Sequence, residues 1–309
     1  MNANLQVQAA RTSALAVPLD WRSTLLVKGR DRTTWLNGLV TCDLLKWADR
    51  DCKYGLFVGR NGRVLADALI AVGRDEVLVS VPSSTVDRLR QHLEHYVVME
   101  DAEIASADDA FRAWSVHGPR SSDVVARSCA AGAVGGILDR TGLGGGLVLF
   151  PGPTRDDAEM MDRAVSAVQG LTGDRQGWDA LRLERAVPEF GSDFDDTTYP
   201  QEAVLERTAV SFDKGCYLGQ EVVCMLEMRG RVKRRLAPLV ADGDEPLSAG
   251  ACVVDESGIE AGLVTSAGWS PTLGHSVALA MLKRAQSEAG QAVVVAGARA
   301  KVVDRPVWR

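Results

Sequence analysis

The sequence changes character near Leu236, directly after the basic run Arg229–Arg235. Before this point, segments with helical periodicity alternate with segments that read as strands and tight turns. After it, short strands rich in valine and alanine alternate with turns rich in Gly, Asp and Ser. Such spacing is typical of a small antiparallel β-barrel. The sequence therefore predicts an α+β region over residues 1–235 and a β-barrel over residues 236–309.

Local signals in the first region agree with a mixture of helices and strands. Asn61-Gly62 lies between two apolar runs and predicts a β-hairpin, because this dipeptide favours the tight turn between antiparallel strands. The stretch WDALRLERAVPEFG has helical periodicity, and Pro188 predicts where the helix stops. The glycines of TGLGGG, residues 141–146, precede a strand, so we predict a flexible turn there and no nucleotide loop.

The composition excludes several classes of protein. Of 309 residues, 46% are hydrophobic and 25% charged, which is ordinary for a soluble globular chain. The net charge of -6 argues against a general nucleic-acid binder, so any anion site must be a local patch. No apolar run approaches the ~20 residues of a membrane span, and the N-terminus has no signal-peptide core. The six scattered cysteines form no C-x-x-C pair, so we predict reduced thiols, no metal site and a cytoplasmic location.

The stretch FDKGCYLGQEVV, residues 212–223, concentrates residues with special chemistry. A cysteine becomes reactive when a neighbouring group stabilises the thiolate, and Lys214 is a nearby cation for Cys216. The glycines at positions 215 and 219 leave the backbone free to approach a ligand or to adopt positive φ. Two interpretations remain open. Cys216 is either an accessible functional thiol or a small buried residue in a tight turn before a strand.

Two carboxylates also stand out. Glu184, on the predicted helix, has the geometry to accept two hydrogen bonds from an amino-heterocycle such as a pterin. The alternative is a solvated helix face with local ion pairs. Asp67 shares one face of a predicted strand with Leu65 and Leu69, and a carboxylate there is costly unless it is paired or functional. The alternative for Asp67 is a position at the rim of the sheet.

The basic run provides a third candidate site. If this segment is extended, alternate residues including Arg229, Arg231 and Lys233 share one face. Such a row suits carboxylates, phosphates or an RNA backbone, and we predict that part of it, including Arg231, attracts the anionic end of a ligand. A solvated strand is the alternative. His92 and His95 are one helical turn apart, but the sequence offers no further matching ligands for a metal.

The motifs together resemble those of a known family. DKGCYLGQEVV resembles the K-G-C-Y-x-G-Q-E signature of the YgfZ family of folate-binding proteins, which are relatives of the glycine-cleavage T-protein, an aminomethyltransferase. LLVKGRDRTTWLNGLVTCDL, NGRVLADALI, RLERAVPEFG and YPQEA resemble further family segments. GLVTSAGWSPTLGHSVALAML resembles the signature of the C-terminal barrel. The resemblance spans almost the whole chain.

This resemblance implies a ring of two α+β, ferredoxin-like domains and a C-terminal antiparallel β-barrel around a central pocket for tetrahydrofolate or a derivative. The two α+β subdomains would be interleaved, with boundaries near residue 50 and residues 120–150. The implied function is support of iron–sulfur protein assembly or repair, with linked effects on tRNA modification. Cys216 and Asp67 would carry any chemistry. The implied folate contacts are Glu184, Asp67, Lys214, Tyr217, Gln220 and Glu221, together with Arg231 from the basic run.

The sequence also departs from the T-protein pattern. Paired aspartates become Ala66-Asp67, and the glycine expected after Glu184 becomes Ala186. These departures favour the YgfZ-like interpretation over an aminomethyltransferase, which remains the alternative function. A binding module for RNA is a second alternative. We expect a monomer with folate as its ligand, iron–sulfur client proteins as partners, no membrane association and no direct nucleic-acid ligand.

Overall fold

The computed structural model describes residues 2–46, 51–152, 156–228, 230 and 232–307. In these ranges the helices are α1 (Ala3–Thr12), α2 (Arg32–Asn37), α3 (Val86–Glu94), α4 (Ser121–Ala130), α5 (Asp156–Ser166), α6 (Arg175–Glu184) and α7 (Gln220–Met228). The first ten strands are β1 (Leu15–Pro18), β2 (Arg22–Lys28), β3 (Cys52–Val58), β4 (Val64–Val72), β5 (Val77–Pro82), β6 (Glu103–Ser106), β7 (Phe111–His117), β8 (Val134–Ile137), β9 (Gly145–Pro151) and β10 (Leu171–Thr172). The last six are β11 (Arg234–Ala241), β12 (Cys252–Asp255), β13 (Glu260–Ser270), β14 (His275–Lys283), β15 (Ala292–Val295) and β16 (Ala298–Val302).

The strands form two five-stranded sheets and one closed barrel. One sheet has the order β10-β1-β7-β9-β8, and the other has the order β3-β4-β5-β2-β6. The chain starts in the first sheet with β1, builds the second sheet from β2 to β6, and then returns to complete the first. This interleaving explains why the sequence shows no single boundary in its first half. The barrel order is β11-β14-β13-β12-β15-β16, with every pair antiparallel. The α+β fold with a C-terminal barrel is therefore confirmed.

The two sheets pack against each other, and helices cover their outer faces. Alternation along β5 shows the principle, since successive side chains of a strand point to opposite faces. Val77, Val79 and Val81 pack in the cluster that contains residues of α2 and α3, whereas Leu78 packs in the cluster between the sheets. Residues of α4 and α5 cover the outer face of the first sheet. Buried apolar surface on both faces of each sheet thus fixes the relative positions of the two sheets.

The α6 helix joins the first sheet to the barrel. One of its faces packs with α1 and β1, and Leu183 packs with barrel residues such as Leu236 and Val277. A segment after the barrel, residues 303–307, straps across this junction: the Arg305 guanidinium donates hydrogen bonds to the carbonyls of Ala186 (2.9 Å) and Leu236 (2.8 Å). The Val307 amide donates to the Glu184 carbonyl at 3.0 Å.

Some boundaries differ from the sequence-based expectations. The predicted hairpin forms, with Asn61-Gly62 between β3 and β4. However, α6 ends at Glu184, four positions before Pro188, since Ala186 adopts a φ of 52° that no α-helix contains. The barrel begins at Arg234, inside the predicted basic run. The cysteine motif leads into helix α7, not into a strand. Among the described residues, no helix is long and apolar enough to cross a membrane.

Candidate functional site

A cavity of about 670 Å³ lies where the two sheets meet the segment that follows the barrel. We call it the central cavity. Its lining comes from residues 42, 43 and 46 after α2, residues 52–54 of β3, residues 138–142 after β8, residues 185–188 after α6, residues 204, 205 and 207–211, and residues 305 and 306. Its volume lies within the range that is usual for sites of small organic ligands.

The lining of the central cavity is strongly basic. It contains six cationic side chains: Lys46, Lys53, Arg140, Arg185, Arg207 and Arg305. Among the described lining residues there are two carboxylates, Asp43 and Asp139, which leaves an excess of four positive charges over that part of the lining in a chain whose net charge is -6. Burial lowers the pKa of Arg305 to about 10, and the neighbouring Arg235 acts in the same direction, yet this group stays protonated near neutral pH. Such a local concentration of charge attracts anionic ligands.

Both lining carboxylates accept hydrogen bonds from backbone amides. Asp139 accepts hydrogen bonds from the amides of Thr141 (2.9 Å), Gly142 (2.8 Å) and Gly144 (2.9 Å). Asp43 accepts from the amides of residues 45 and 46, at 2.9 and 3.3 Å. Neither is therefore an uncommitted base. The Asp139 contacts also organise the glycine-rich turn, where Gly144 has a φ of 93° and an added Cβ would lie 2.6 Å from a carbonyl oxygen. The turn is closely packed at this glycine.

Arg140 is held between aromatic rings at the edge of the central cavity. Its guanidinium lies 4.3 Å from the ring centre of Tyr54 and 5.9 Å from that of Trp178, distances typical of cation–π contacts. One terminal nitrogen donates to the Pro188 carbonyl at 3.1 Å. Its Nε atom is buried and has no hydrogen-bond partner among the described residues. The Nε atom is therefore enclosed by protein, while the Arg140 side chain contributes a positive charge to the cavity lining. Sequence reasoning missed this residue, although it directly precedes the glycine-rich turn.

Asp67 lies on β4, an interior strand that runs between β3 and β5. Its carboxylate forms an ion pair with Arg22 at 3.0 Å, with the two side chains 1% and 3% exposed. It also accepts a hydrogen bond from the Tyr54 hydroxyl at 3.2 Å. Burial, reinforced by Asp67, raises the pKa of Tyr54, so the hydroxyl stays a donor. The rim position was wrong, and the predicted need for a partner is met by Arg22. Asp67 lies behind Tyr54 and outside the cavity lining.

Glu184 binds the barrel and does not line the cavity. Its buried carboxylate accepts hydrogen bonds from the Ser270 hydroxyl at 2.5 Å, the Thr272 amide at 3.0 Å and the Thr272 hydroxyl at 2.9 Å. These contacts tie the end of α6 to the turn between β13 and β14. The solvated helix face is excluded, since Glu184 has no exposed surface. Because residues 185–188 do line the cavity, Glu184 positions part of its wall.

The Lys214 side chain is buried, whereas the Cys216 thiol is exposed. Its ammonium donates three hydrogen bonds to the backbone carbonyls of Asn37 (2.6 Å), Val40 (2.8 Å) and Cys42 (2.8 Å). These carbonyls lie at the end of α2 and in the loop beyond it, where the helix leaves acceptors unsatisfied. Burial lowers the pKa of Lys214 to about 8. The interpretation of Lys214 as the partner of a Cys216 thiolate is corrected: it clamps the loop that carries Cys42 to the central cavity.

The rest of the cysteine motif forms a turn in which some side chains are buried and others are exposed. Cys216 is exposed, whereas Tyr217 is buried against the sheets, with its hydroxyl lacking a partner among the described residues. The Gln220 side chain accepts a hydrogen bond from the Tyr217 amide at 3.3 Å at the start of α7, and Glu221 is exposed. Gly219 has a φ of 77°, and an added Cβ would lie 2.3 Å from the Gly59 carbonyl oxygen. The accessible-thiol interpretation thus agrees with the structure, and the buried filler does not.

The basic run is largely committed to ion pairs where the structure describes it. Arg234 pairs with Glu202 at 2.9 Å, and Arg235 pairs with Glu206 at 3.0 Å. Arg231, the predicted ligand contact, lies outside the described residues, as does Arg229.

Comparisons with known proteins match this arrangement. Residues 3–134 match the GCVT N-terminal domain, and residues 234–308 match the glycine cleavage T-protein C-terminal barrel domain. The chain is T-protein-like. The crystal structure of glycine cleavage system aminomethyltransferase T from Bartonella henselae has the same fold, with a TM-score of 0.83 and 18% identity, over 99% of this chain and 89% of that one.

Curated relatives extend the T-protein likeness over nearly the full chain. An aminomethyltransferase of Thermotoga petrophila is 26% identical over 329 residues, covering 98% of this chain and 89% of the relative. An aminomethyltransferase of Saccharopolyspora erythraea is 28% identical over 311 residues, covering 93% and 83%.

In this T-protein-like chain, the predicted site residues do not converge on one point. Asp67 lies one side chain behind the central cavity, and Glu184 and Lys214 support its wall from outside. Cys216 and Glu221 face solvent. No described site has three or more His, Cys, Asp or Glu side chains placed to hold a metal.

Proposed function

We propose that the central cavity binds a reduced folate, tetrahydrofolate or a derivative. The observation that carries this proposal is the basic lining in an acidic chain, which favours a ligand with carboxylates. The similarity to proteins named aminomethyltransferase and the resemblance to YgfZ proteins point to folate among such ligands.

The lining also suits the ring system of a folate. Tyr54 supplies an aromatic face, and Leu138, Val187 and Val210 supply apolar surface. Arg140 adds a planar cation to the lining. A flat heterocycle with carbonyl and ring-nitrogen acceptors would contact the apolar surface and lie near this cation.

We further propose that the protein acts as an accessory factor for iron–sulfur proteins and affects tRNA modification through them. Two observations favour binding over turnover in the cavity. Asp67 is shielded by Tyr54 and paired with Arg22, and the two carboxylates of the described lining bind backbone amides. The exposed Cys216 gives the chain a separate group for contact with a client protein. Aminomethyl transfer is the second candidate, favoured by the names of the relatives.

Titration with 5-formyltetrahydrofolate by calorimetry tests the first proposal. We expect saturable binding to the wild type and binding about tenfold weaker or more to Arg140→Gln, because a hydrogen bond to a charged donor contributes about 1.5–3 kcal/mol. Lys301→Gln is the control, since Lys301 is exposed on β16 and outside the lining. An absence of saturable binding by the wild type at millimolar ligand would refute folate binding.

Cys216→Ser tests the accessory role. Because Cys216 is exposed and outside the cavity lining, the variant should fold and bind 5-formyltetrahydrofolate within about twofold of the wild type. In a deletion strain it should fail to restore the activity of iron–sulfur enzymes. Cys252→Ser, at the other exposed cysteine, is the matched control and should restore it. Full restoration by Cys216→Ser, or folate-dependent transfer from an aminomethyl donor by the purified protein, would instead favour the transferase.

A further inference from the structure

A second, much smaller chamber shares two lining residues with the central cavity. We call it the inner chamber. Its volume is about 20 Å³, and Leu138 and Arg140 belong to both linings. The other polar residues of its lining are Arg22, Ser115, His117 and Glu189. A water molecule needs a cavity of at least about 10–15 Å³, so the inner chamber has room for one water and none for an organic ligand.

Two residues of this lining each have a buried nitrogen atom without a hydrogen-bond partner among the described residues. The atoms are Nε of Arg140 and Nδ1 of His117. His117 as a whole is only 3% exposed, so bulk water does not reach its ring. A buried polar atom that stays unsatisfied costs free energy, and two such atoms beside one chamber indicate a common partner.

The other polar groups of the inner chamber already have partners of their own. Arg22 is paired with Asp67 at 3.0 Å, and the Glu189 carboxylate accepts a hydrogen bond from Arg175 at 3.0 Å. The Ser115 hydroxyl oxygen lies 3.0 Å from Nε2 of His117, the ring nitrogen that is not unsatisfied. The common partner is therefore a small polar molecule, and water fits both the volume and the chemistry.

The protonation of His117 decides which way the hydrogen bonds run. Burial, with Arg140 acting in the same direction and Asp139 opposing it, lowers the pKa of His117 to about 3, so its ring is neutral near pH 7. A neutral imidazole has one N–H donor and one acceptor nitrogen. The positive charge of Arg140 favours the tautomer whose hydrogen is on Nε2, where it donates to Ser115, and whose Nδ1 is the acceptor.

We propose that the inner chamber binds one water molecule, which accepts a hydrogen bond from Nε of Arg140 and donates one to Nδ1 of His117. This water makes His117 a positioning residue for Arg140. The guanidinium is otherwise held by its hydrogen bond to the Pro188 carbonyl and by the faces of Tyr54 and Trp178. Since Arg140 also lines the central cavity, the water connects a buried histidine to the candidate site.

A crystal structure of the ligand-free protein, at a resolution that shows ordered waters, tests the water directly. We expect a single peak in the inner chamber within hydrogen-bond distance of both nitrogen atoms. The peak should be lost in His117→Phe, which has no acceptor, and should return in His117→Asn, whose side-chain carbonyl can replace Nδ1. A wild-type chamber without a peak, or Nε of Arg140 bonded directly to a protein group, would refute the water site.

The direction of the hydrogen bonds is measured by ¹⁵N NMR of the imidazole nitrogens, with the His117 signal assigned from its loss in His117→Phe. We expect the neutral tautomer with hydrogen on Nε2 at pH 7. In Arg140→Gln the titration midpoint of His117 should rise toward its ordinary value, because a neighbouring positive charge has been removed. A hydrogen on Nδ1 in the wild type would contradict the proposed donation by the water.

The effect on the central cavity rests on the proposed folate binding and is measured separately, by titration with 5-formyltetrahydrofolate. We expect about three- to tenfold weaker binding to His117→Phe, because Arg140 loses a partner that orients it, and recovery of most of this loss in His117→Asn. His95→Phe is the matched control, since His95 is exposed and outside both linings.

These measurements distinguish the failure of this inference from that of the proposed function. If the wild type binds no 5-formyltetrahydrofolate, the proposed function fails, while the crystal structure and the NMR tautomer still decide whether the water is present. If the water is present and His117→Phe binds the ligand as tightly as the wild type does, the positioning role of His117 is wrong.

Discussion

Replacing Asp67 with alanine is expected to lower the free energy of unfolding by about 3–5 kcal/mol, the usual cost of removing one partner of a buried ion pair. The Arg22 guanidinium would remain in the core, with its side chain 3% exposed and its charge uncompensated. The Tyr54 hydroxyl would also lose its acceptor. Urea denaturation of wild type and variant, followed by circular dichroism, measures the difference.

A double variant shows whether the unpaired charge causes the loss. Replacing both partners, as Arg22→Met with Asp67→Leu, removes the buried charges together, so it should recover at least half of the stability lost in Asp67→Ala. If the free energy of unfolding of Asp67→Ala instead lies within about 1 kcal/mol of the wild-type value, the ion pair is not a structural requirement. In that case the role of Asp67 in ligand chemistry would have to be considered again.

Acidification should destabilise the protein through His117, by about 3 kcal/mol between pH 7 and pH 4. Burial, with the nearby Arg140 acting in the same direction, lowers the pKa of His117 from 6.5 to about 3. The unfolded chain therefore binds a proton at this residue between pH 6.5 and 3, and the folded chain does not. Unfolding is favoured as pH falls through 6.5, and the loss is complete below about pH 3.

His117→Phe isolates this contribution. Phenylalanine keeps a ring against Trp178, whose ring centre lies 4.7 Å from that of His117 in a stacked arrangement. The carboxylates that also titrate in this range are common to both proteins, so they cancel when the two pH profiles are subtracted. The wild type should lose about 3 kcal/mol more than the variant between pH 7 and pH 4. Parallel profiles would mean that His117 takes up its proton in the folded state.

Local features of the fold were predictable because they depend on neighbouring residues. The turn at Asn61-Gly62 needs no information beyond the dipeptide and the apolar runs beside it. The barrel follows from repeated short strands and turns. The alternation of residues along the strand also predicted that a carboxylate at position 67 would be costly unless it were paired. The identity of its partner was not predictable, because Arg22 comes from a strand two positions away in the sheet and 45 residues away in the chain.

The candidate site was harder to predict because it depends on the directions of individual side chains. Lys214 and Cys216 are close in sequence, which suggested a shared role, yet one is buried among carbonyls and the other faces solvent. The position of Glu184 on its helix is equally compatible with a hydrogen bond to a pterin and with one to a neighbouring domain. Only the packing of α6 on the barrel decides between these two partners. No periodic pattern identified Arg140, because this residue lies at a turn and not on a regular helix or strand. The conformation of that turn is fixed by hydrogen bonds to Asp139.

The strap at residues 303–307 has a consequence for protein synthesis. Arg305 and Pro306 follow every other lining residue in chain order, so a nascent chain can form both sheets while one side of the central cavity is still missing. Chains that end before Arg305 would therefore lack this part of the cavity lining and the hydrogen bonds that hold it to Ala186 and Leu236.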